Sequence, residues 1–171
     1  MPRPGVAGDG VAVTVPPVLT DGVVTLRAHT GSDVPGMLEV YRDPVVHRWT
    51  SLDPTSGEGR AREWIDLARR RWATGRHHVW AVEAACDRRP RYAGSIDLRR
   101  DPLPSVGYLL APWARGRGLA SRALRLAADW GFDVAGFAAL HWDCRAGHVA
   151  SWRVAHACGF RFEGVRTRAL P

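Results

Sequence analysis

The stretch "VGYLLAPWARGRGLASRALRLAADWGF", Val106 to Phe132, runs from a short apolar segment through a glycine-and-arginine turn into a helical pattern. Leu119, Ala123, Leu126, Ala127 and Trp130 recur at the spacing of one helix face. The turn before them holds Arg115, Gly116, Arg117 and Gly118, and no acid. A strand that feeds such a turn into a helix leaves several backbone N–H groups unpaired at the helix start, where the helix dipole adds positive charge. Glycines let a phosphate approach the backbone, and Arg115 or Arg117 can add charge-assisted contacts. Two readings stand open: a flexible surface turn, or a cradle for phosphate.

Two familiar nucleotide motifs do not fit. A P-loop requires GxxxxGK followed by Ser or Thr, and the chain has no lysine. A dinucleotide fingerprint requires a third glycine or an alanine, and directly follows its strand. Here Ser121 stands at that position and "PWA" intervenes. The chain is also short for a dinucleotide fold plus a substrate domain.

The 171 residues, 46% of them hydrophobic, suffice for one well-buried core. Residues 18–171 are expected to form a single domain behind a Pro- and Gly-rich tail, residues 1–17. No apolar run is long enough to span a bilayer, and "MPRPGVAGDG" lacks a signal peptide's apolar stretch, so the cytoplasm is the expected location. Cys86, Cys144 and Cys158 form no CxxC pair, which argues against zinc or a disulfide framework; they read as small buried hydrophobes, and no metal is expected. His77 and His78 would point to opposite faces of a strand and cannot share a metal.

The formal charge of +7 invites a nucleic-acid reading. All 24 basic residues are arginine, however, and lysine, asparagine and glutamine are absent, as a GC-rich coding sequence would produce. The surplus still favours anionic ligands. Only "RRR" at Arg69 to Arg71 is dense, and no aromatic RNA-binding segment accompanies it, so nucleic acid is disfavoured as a partner.

Outward from the opening stretch, "VVTLRA" (Val23 to Ala28), "HHVWAVEA", "RYAGSIDLR", "SVGYLLA", "FAALHWDC" and "FRFEGVR" read as strands, with "CDRRP" as a hairpin turn. Ser32 or Asp33 can cap a helix that ends near Asp43–Pro44. Thr55 and Glu58 have capping-box spacing before a helix with Trp64, Leu67, Ala68 and Trp72 as its apolar stripe, stopped at Gly75. "HVASWRVAHACGF" is a last helix, with Val149, Trp152, Val154 and Ala155 available for packing and Gly159 as its stop. The order β-α-α-β-β-β-α-β-α-β predicts an α/β fold with a mixed, mostly antiparallel sheet flanked by helices.

The remaining motif is Gln/Arg-x-x-Gly-x-Gly/Ala, met by Arg115, Gly118 and Ala120. With it the chain resembles the GNAT superfamily of acyl-CoA-dependent N-acyltransferases, and within it the RimJ/RimL-like branch, from about Leu19 onward. "GVVTLRAHTGSDVPGMLEVYRDPVVHRW" is similar to that branch's first strand and helix, and "HVASWRVAHACGFRFEGV" to its closing "NxxSxRVxxxxGFxxEG". The resemblance implies acetyl transfer from acetyl-CoA to a primary amine, a protein N-terminus or a small molecule, by direct attack in a ternary complex. It places the CoA pyrophosphate on Arg115, Gly116, Arg117, Gly118, Leu119 and Ala120. It pairs the pantetheine arm with the central strand around Leu109 and Leu110, with a backbone N–H near Leu109 at the oxyanion.

The chain departs from this pattern at several positions. His148 stands where the closing motif begins with asparagine, and Ala155 where many members carry a tyrosine acid. Ser151, which the branch shares, is the candidate acid or thiolate ligand; its alternative is a helix serine bonded to its own backbone. Ser105 and Val106 stand where a glutamate often precedes "GY", leaving Asp97, Glu83 and His78 as candidate bases, or a base acting through water. Trp49 is the expected acceptor-groove residue. "RTRALP" ends the chain where the family fold continues into one more strand; an uncovered edge would invite a homodimer. A catalytically weak acyl-CoA sensor of the same fold is the alternative.

Overall fold

In the computed structural model, residues 15–166 are described. Most of the expected tail and "TRALP" lie outside them. At the near end the chain is tied down at once, because Trp80 Nε1 donates to the Pro17 carbonyl at 3.1 Å.

Five strands form one antiparallel sheet in sequential order: β1 (Leu19–Thr20), β2 (Val24–Arg27), β3 (His77–Cys86), β4 (Arg89–Arg99) and β5 (Ser105–Leu110). The connection between β3 and β4 is the predicted hairpin, with Asp87 and Arg88 both at positive φ, 49° and 63°, the conformation a two-residue turn between twisted strands requires. Helices α1 (Val34–Tyr41) and α3 (Glu58–Ala73) cover one face, where Met37 and Ile65 pack with Tyr92. Helix α4 (Leu119–Asp133) covers the other, packing Ala123 and Leu124 on Val82, Ile96 and Val106. Burying each large aliphatic side chain in such a layer contributes about 1.5–3 kcal/mol. The sheet's alternation thus follows from sequence: Ile96 and Leu98 face α4, while Ser95, Asp97 and Arg99, which alternate with them, face the α1/α3 side.

Several local expectations are corrected. Pro44 does not only end a helix; Asp43 accepts the Val45 N–H at 2.9 Å and caps a further helix, α2 (Pro44–Trp49). Thr30 and Asp33 form the capping box of a short 3-10 turn, Gly31–Asp33, that leads into α1. Helix α3 starts after Gly57, because Thr55 bonds Asp53 instead of the helix. Its buried stripe is Ala61, Ile65, Ala68 and Trp72. In α5 (Val149–Ala157), Ala155 packs inward while Val149 and Trp152 face solvent. Cys144 is exposed, and Cys86 and Cys158 are half-buried.

"FAALHWDC" makes only one bridge, parallel, between His141 and Ser105. Val106 N–H donates to the His141 carbonyl at 2.9 Å and His141 N–H to that of Pro104 at 2.8 Å. Further along β5, the carbonyl of Leu110 accepts from Arg115 Nη2 at 2.8 Å. "FRFEGVR" is no strand either, and Phe162 and Val165 stay exposed.

Candidate active site

The single bridge at His141 opens the sheet beside β5. Backbone polar groups alternate sides along a strand. Ala111 N–H donates to the Ala93 carbonyl, on the β4 side, and Val106 N–H donates away from it. The even positions, Tyr108 and Leu110, therefore turn their amides to the opened edge. Leu109 turns its own toward Ser95 on β4. Of the two residues expected to meet a pantetheine arm, Leu110 turns its N–H to the opened edge and Leu109 turns its own toward β4.

The opened edge leads through a 3-10 turn, Pro112–Ala114, into the glycine turn. Gly116 and Gly118 both have left-handed φ, 71° and 72°, and no neighbouring atom within 4 Å of where a Cβ would stand. The left-handed conformation favours glycine at both positions, and the space above is open. Gly118 caps α4 without a side-chain hydrogen bond, and no acid lies in the first turn. A cavity of about 580 Å³ runs from Gly118 along α4, lined by Arg117, Ser121, Arg122 and Arg125 and by the carboxylates of Asp21 and Asp129. Asp21 pairs with Arg122 at 2.7 Å, which leaves Arg117 and Arg125 as the lining cations without an acidic partner among the described residues. Arg115, the motif's first residue, turns back under the loop, ion-paired to buried Asp43 and bonded to Leu110. Asp43 Oδ2 carries that ion contact without a well-angled hydrogen bond. Arg117 lies over Trp113 and reaches the Ala85 carbonyl at 3.3 Å.

Across the opening stands α5. His148 is its N-cap, its Nδ1 accepting the Ser151 N–H at 3.0 Å, which leaves the proton of the neutral ring on Nε2. Burial, the largest influence, lowers its pKa, with nearby Arg115 acting in the same direction. Its ring meets Trp49 edge-on, centroids 4.4 Å apart, so the end of α2 stands beside the start of α5. Ser151 bonds neither solvent alone nor its own turn: its Oγ donates to Tyr108 Oη at 3.1 Å, and Tyr108 Oη donates to the Ser151 carbonyl at 2.8 Å. Burial pushes the Tyr108 phenol up to about 12, so it stays protonated. Sequence reasoning missed Tyr108, although it stands in the quoted "VGYLL"; its register, which turns it to the opened edge, was the available signal.

The candidate bases separate. His78 is buried among Trp72, Trp80 and Trp130 on the α4 face, where burial lowers its pKa to about 4. It lies within the core and away from the groove, which corrects its expected role. Glu83 faces the α1/α3 side but is bound to Arg27 at 2.8 Å, and Arg27 also grips Asp33. Asp97 lies in a groove on that side; its Oδ2 contacts His77 Nε2 at 2.7 Å and Arg99 Nε at 3.0 Å. A Cβ on Gly107 would come within 2.8 Å of Asp97 Oδ1, so the glycine of "GY" lets this carboxylate lie across β5. His77 is the histidine beside Asp97, on the strand face opposite to His78. Among the described residues, no group of three His, Cys, Asp or Glu side chains could hold a metal ion, and no helix is long and apolar enough to cross a membrane.

Fold and cradle define a domain that can hold a phosphate-bearing ligand at a helix start, against a split sheet. Residues 24–161 match the family model described as an acetyltransferase (GNAT) domain, and the chain belongs to that family. Comparison with curated proteins finds no match. Among solved structures, the chain is similar to Mycobacterium smegmatis RimJ in complex with CoA-disulfide (21% identity, 88% of this chain and 78% of that one, TM-score 0.74). It is also similar to the Salmonella typhimurium acetyl transferase that modifies the N-terminal serine of ribosomal protein L7/L12 (19%, 86% and 87%, 0.73). A third is the microcin C7 self-immunity acetyltransferase MccE, solved with acetyl-CoA and AMP (14%, 84% and 82%, 0.74). At these identities the likeness speaks for the fold.

Proposed function

We propose that this chain transfers an acetyl group from acetyl-CoA to a primary amine by direct attack in a ternary complex. The observation that carries this reading is the continuity of the opened β5 edge with the left-handed glycine turn and the uncapped start of α4. One ligand with a peptide-like arm and a pyrophosphate matches that sequence of donors. The amides from Gly116 through Ala120 hold the pyrophosphate, with helix dipole and arginines adding positive charge. The amides of Tyr108 and Leu110 pair with the arm, and Leu110 N–H is placed to stabilise negative charge developing on the acyl oxygen. His148 Nε2–H supplies a donor at the mouth of the cleft.

Two proton positions are needed. Asp97 serves as the proton acceptor for the attacking amine, through water, since its Oδ1 lies over β5 while Oδ2 is held by His77 and Arg99. Tyr108 and Ser151 form a hydroxyl pair beside the opened edge, suited to protonate a departing thiolate. The phenol thus occupies the chemical place of the acid that Ala155, buried, cannot supply.

Calorimetry with acetyl-CoA and CoA, followed by thiol release on adding a panel of amines, tests the reading. Binding with amine-dependent thiol release is expected. Absence of CoA binding by the folded protein would overturn it.

A further inference from the structure

The α1/α3 side of the sheet carries a cavity of about 460 Å³ beside Trp64. Three guanidinium groups line it, those of Arg71, Arg76 and Arg99, against the two carboxylates of Asp97 and Asp101. Both carboxylates are engaged: Asp97 with His77 and Arg99, and Asp101 with Arg76 at 3.7 Å. Arg71 lies over the Trp64 ring, 5.2 Å from its centroid. Positive charge is therefore in surplus by one in a concave site whose inner side is formed by half-buried Asp97 and His77 and whose outer side, at Arg76 and Asp101, is open to solvent.

The cavity also has a defined position relative to the reaction. Arg99 meets Asp97 through Nε, while its Nη2 reaches across β5; a Cβ on Gly107 would stand 2.7 Å from it. Gly107 precedes Leu110 by three residues. At roughly 3.3 Å per residue, Arg99 Nη2 lies about 10 Å along the strand from the Leu110 amide.

We propose that this cavity binds an anionic group of the acceptor, a carboxylate or phosphate carried about 10 Å from the amine that is acetylated, with Arg71, Arg76 and Arg99 as its ligands. Guanidinium forks match both anions in geometry. The proposal rests on the transferase reading above and narrows its acceptor class. An extended tripeptide with an acidic third residue spans the required distance.

The test compares thiol release with the C-terminally amidated tripeptides Ser-Gly-Glu, Ser-Gly-Gln, Ser-Gly-Lys and Ser-Gly-phosphoserine. The Glu peptide is expected to exceed the Gln peptide about tenfold or more in kcat/KM, chiefly through KM, with the Lys peptide lowest. Arg71→Gln/Arg76→Gln, its fold checked by thermal melt, should bring the Glu/Gln ratio to near one. Preference for phosphoserine over Glu assigns phosphate, and the reverse assigns carboxylate. Equal kcat/KM for Glu and Gln peptides, or a ratio that persists in the double variant, overturns the proposal. If no peptide releases thiol, binding of the N-acetylated Glu and Gln peptides to CoA-loaded protein decides. Tighter binding of the acidic one, lost in the double variant, keeps the subsite while counting against transfer to these amines; equal binding overturns the subsite.

Discussion

Tyr108 Oη and Ser151 form a closed pair: the phenol donates to the Ser151 carbonyl at 2.8 Å and accepts from Ser151 Oγ at 3.1 Å. The pair joins the opened strand β5 to the first turn of α5, and it sets two hydroxyl groups at the cleft where a thiolate would depart.

Tyr108→Phe removes the phenol and keeps the ring. Its kcat should fall about 100-fold, the size of a lost general acid, while CoA affinity by calorimetry stays near that of the parent. Ser151→Ala should fall less. Because burial holds Tyr108 near 12, the parent's rate should show no alkaline decline from this group around pH 10, where an ordinary tyrosine titrates.

Gly118 separates charge from backbone conformation. Asn and Asp both tolerate left-handed φ better than other non-glycine residues, so Gly118→Asn and Gly118→Asp should fold alike. Only the aspartate opposes a pyrophosphate at the start of α4. Calorimetry should find CoA binding weakened about 10-fold or more in Gly118→Asp relative to Gly118→Asn, as expected for a misplaced charge at a helix-terminus anion site. Equal affinities would show that no anion sits at this turn.

His29 and His78 make the fold acid-sensitive. Burial, the largest cause in each, lowers both to about 4 from 6.5. Below pH 6.5 the unfolded chain binds protons that the folded chain refuses, so stability is complete above that pH and is lost progressively toward pH 4. Each group accounts for about 3 kcal/mol over that interval. His78→Phe keeps an aromatic ring among Trp72, Trp80 and Trp130 and removes a buried Nδ1 without a partner. Urea melts should show this variant more stable at pH 5 and the pH slope reduced by about one proton.

Two glycines on paired strands should respond differently to alanine. At Gly94 a Cβ would stand 2.1 Å from the Leu109 carbonyl oxygen, a backbone atom fixed in the ladder. At Gly107 it meets only the ends of Asp97 and Arg99, which can swing aside. Gly94→Ala should cost about 3 kcal/mol or more in chemical denaturation. Gly107→Ala should fold with a smaller loss and show its effect in acceptor turnover.

Much of this arrangement was legible in residue order. The α4 stripe, the glycine turn before it and the hairpin in "CDRRP" each follow from local chemistry, and the motif at Arg115, Gly118 and Ala120 points to the family. Placement across the sheet was less legible. His77 and His78 are adjacent letters, and only the register of β3 puts one beside Asp97 and the other in the tryptophan core. Glu83 is held by Arg27, far earlier in the chain, a partner that no local pattern around Glu83 announces. The run "FAALHWDC" has strand composition, yet it touches β5 only at the His141–Ser105 bridge and leaves the rest of that edge open. Composition predicts strand tendency; it carries no record of which hydrogen-bonding groups other segments have taken.

Arg115 sits where two halves of the cleft meet. Its guanidinium is held by Asp43, the N-cap of α2, and by the Leu110 carbonyl at the end of β5. Helix α2 also carries Trp49, which rests on His148. Were a phosphate to draw Arg115 away from Asp43, the cap of α2 would lose its counter-ion, and a displacement of α2 would in turn act on Arg115. Thermodynamic linkage makes any such influence mutual, each occupant altering the other's affinity by the same factor. Donor and acceptor sites joined through one cation are expected to fill as a coupled pair, with cooperativity that Arg115→Ala would abolish.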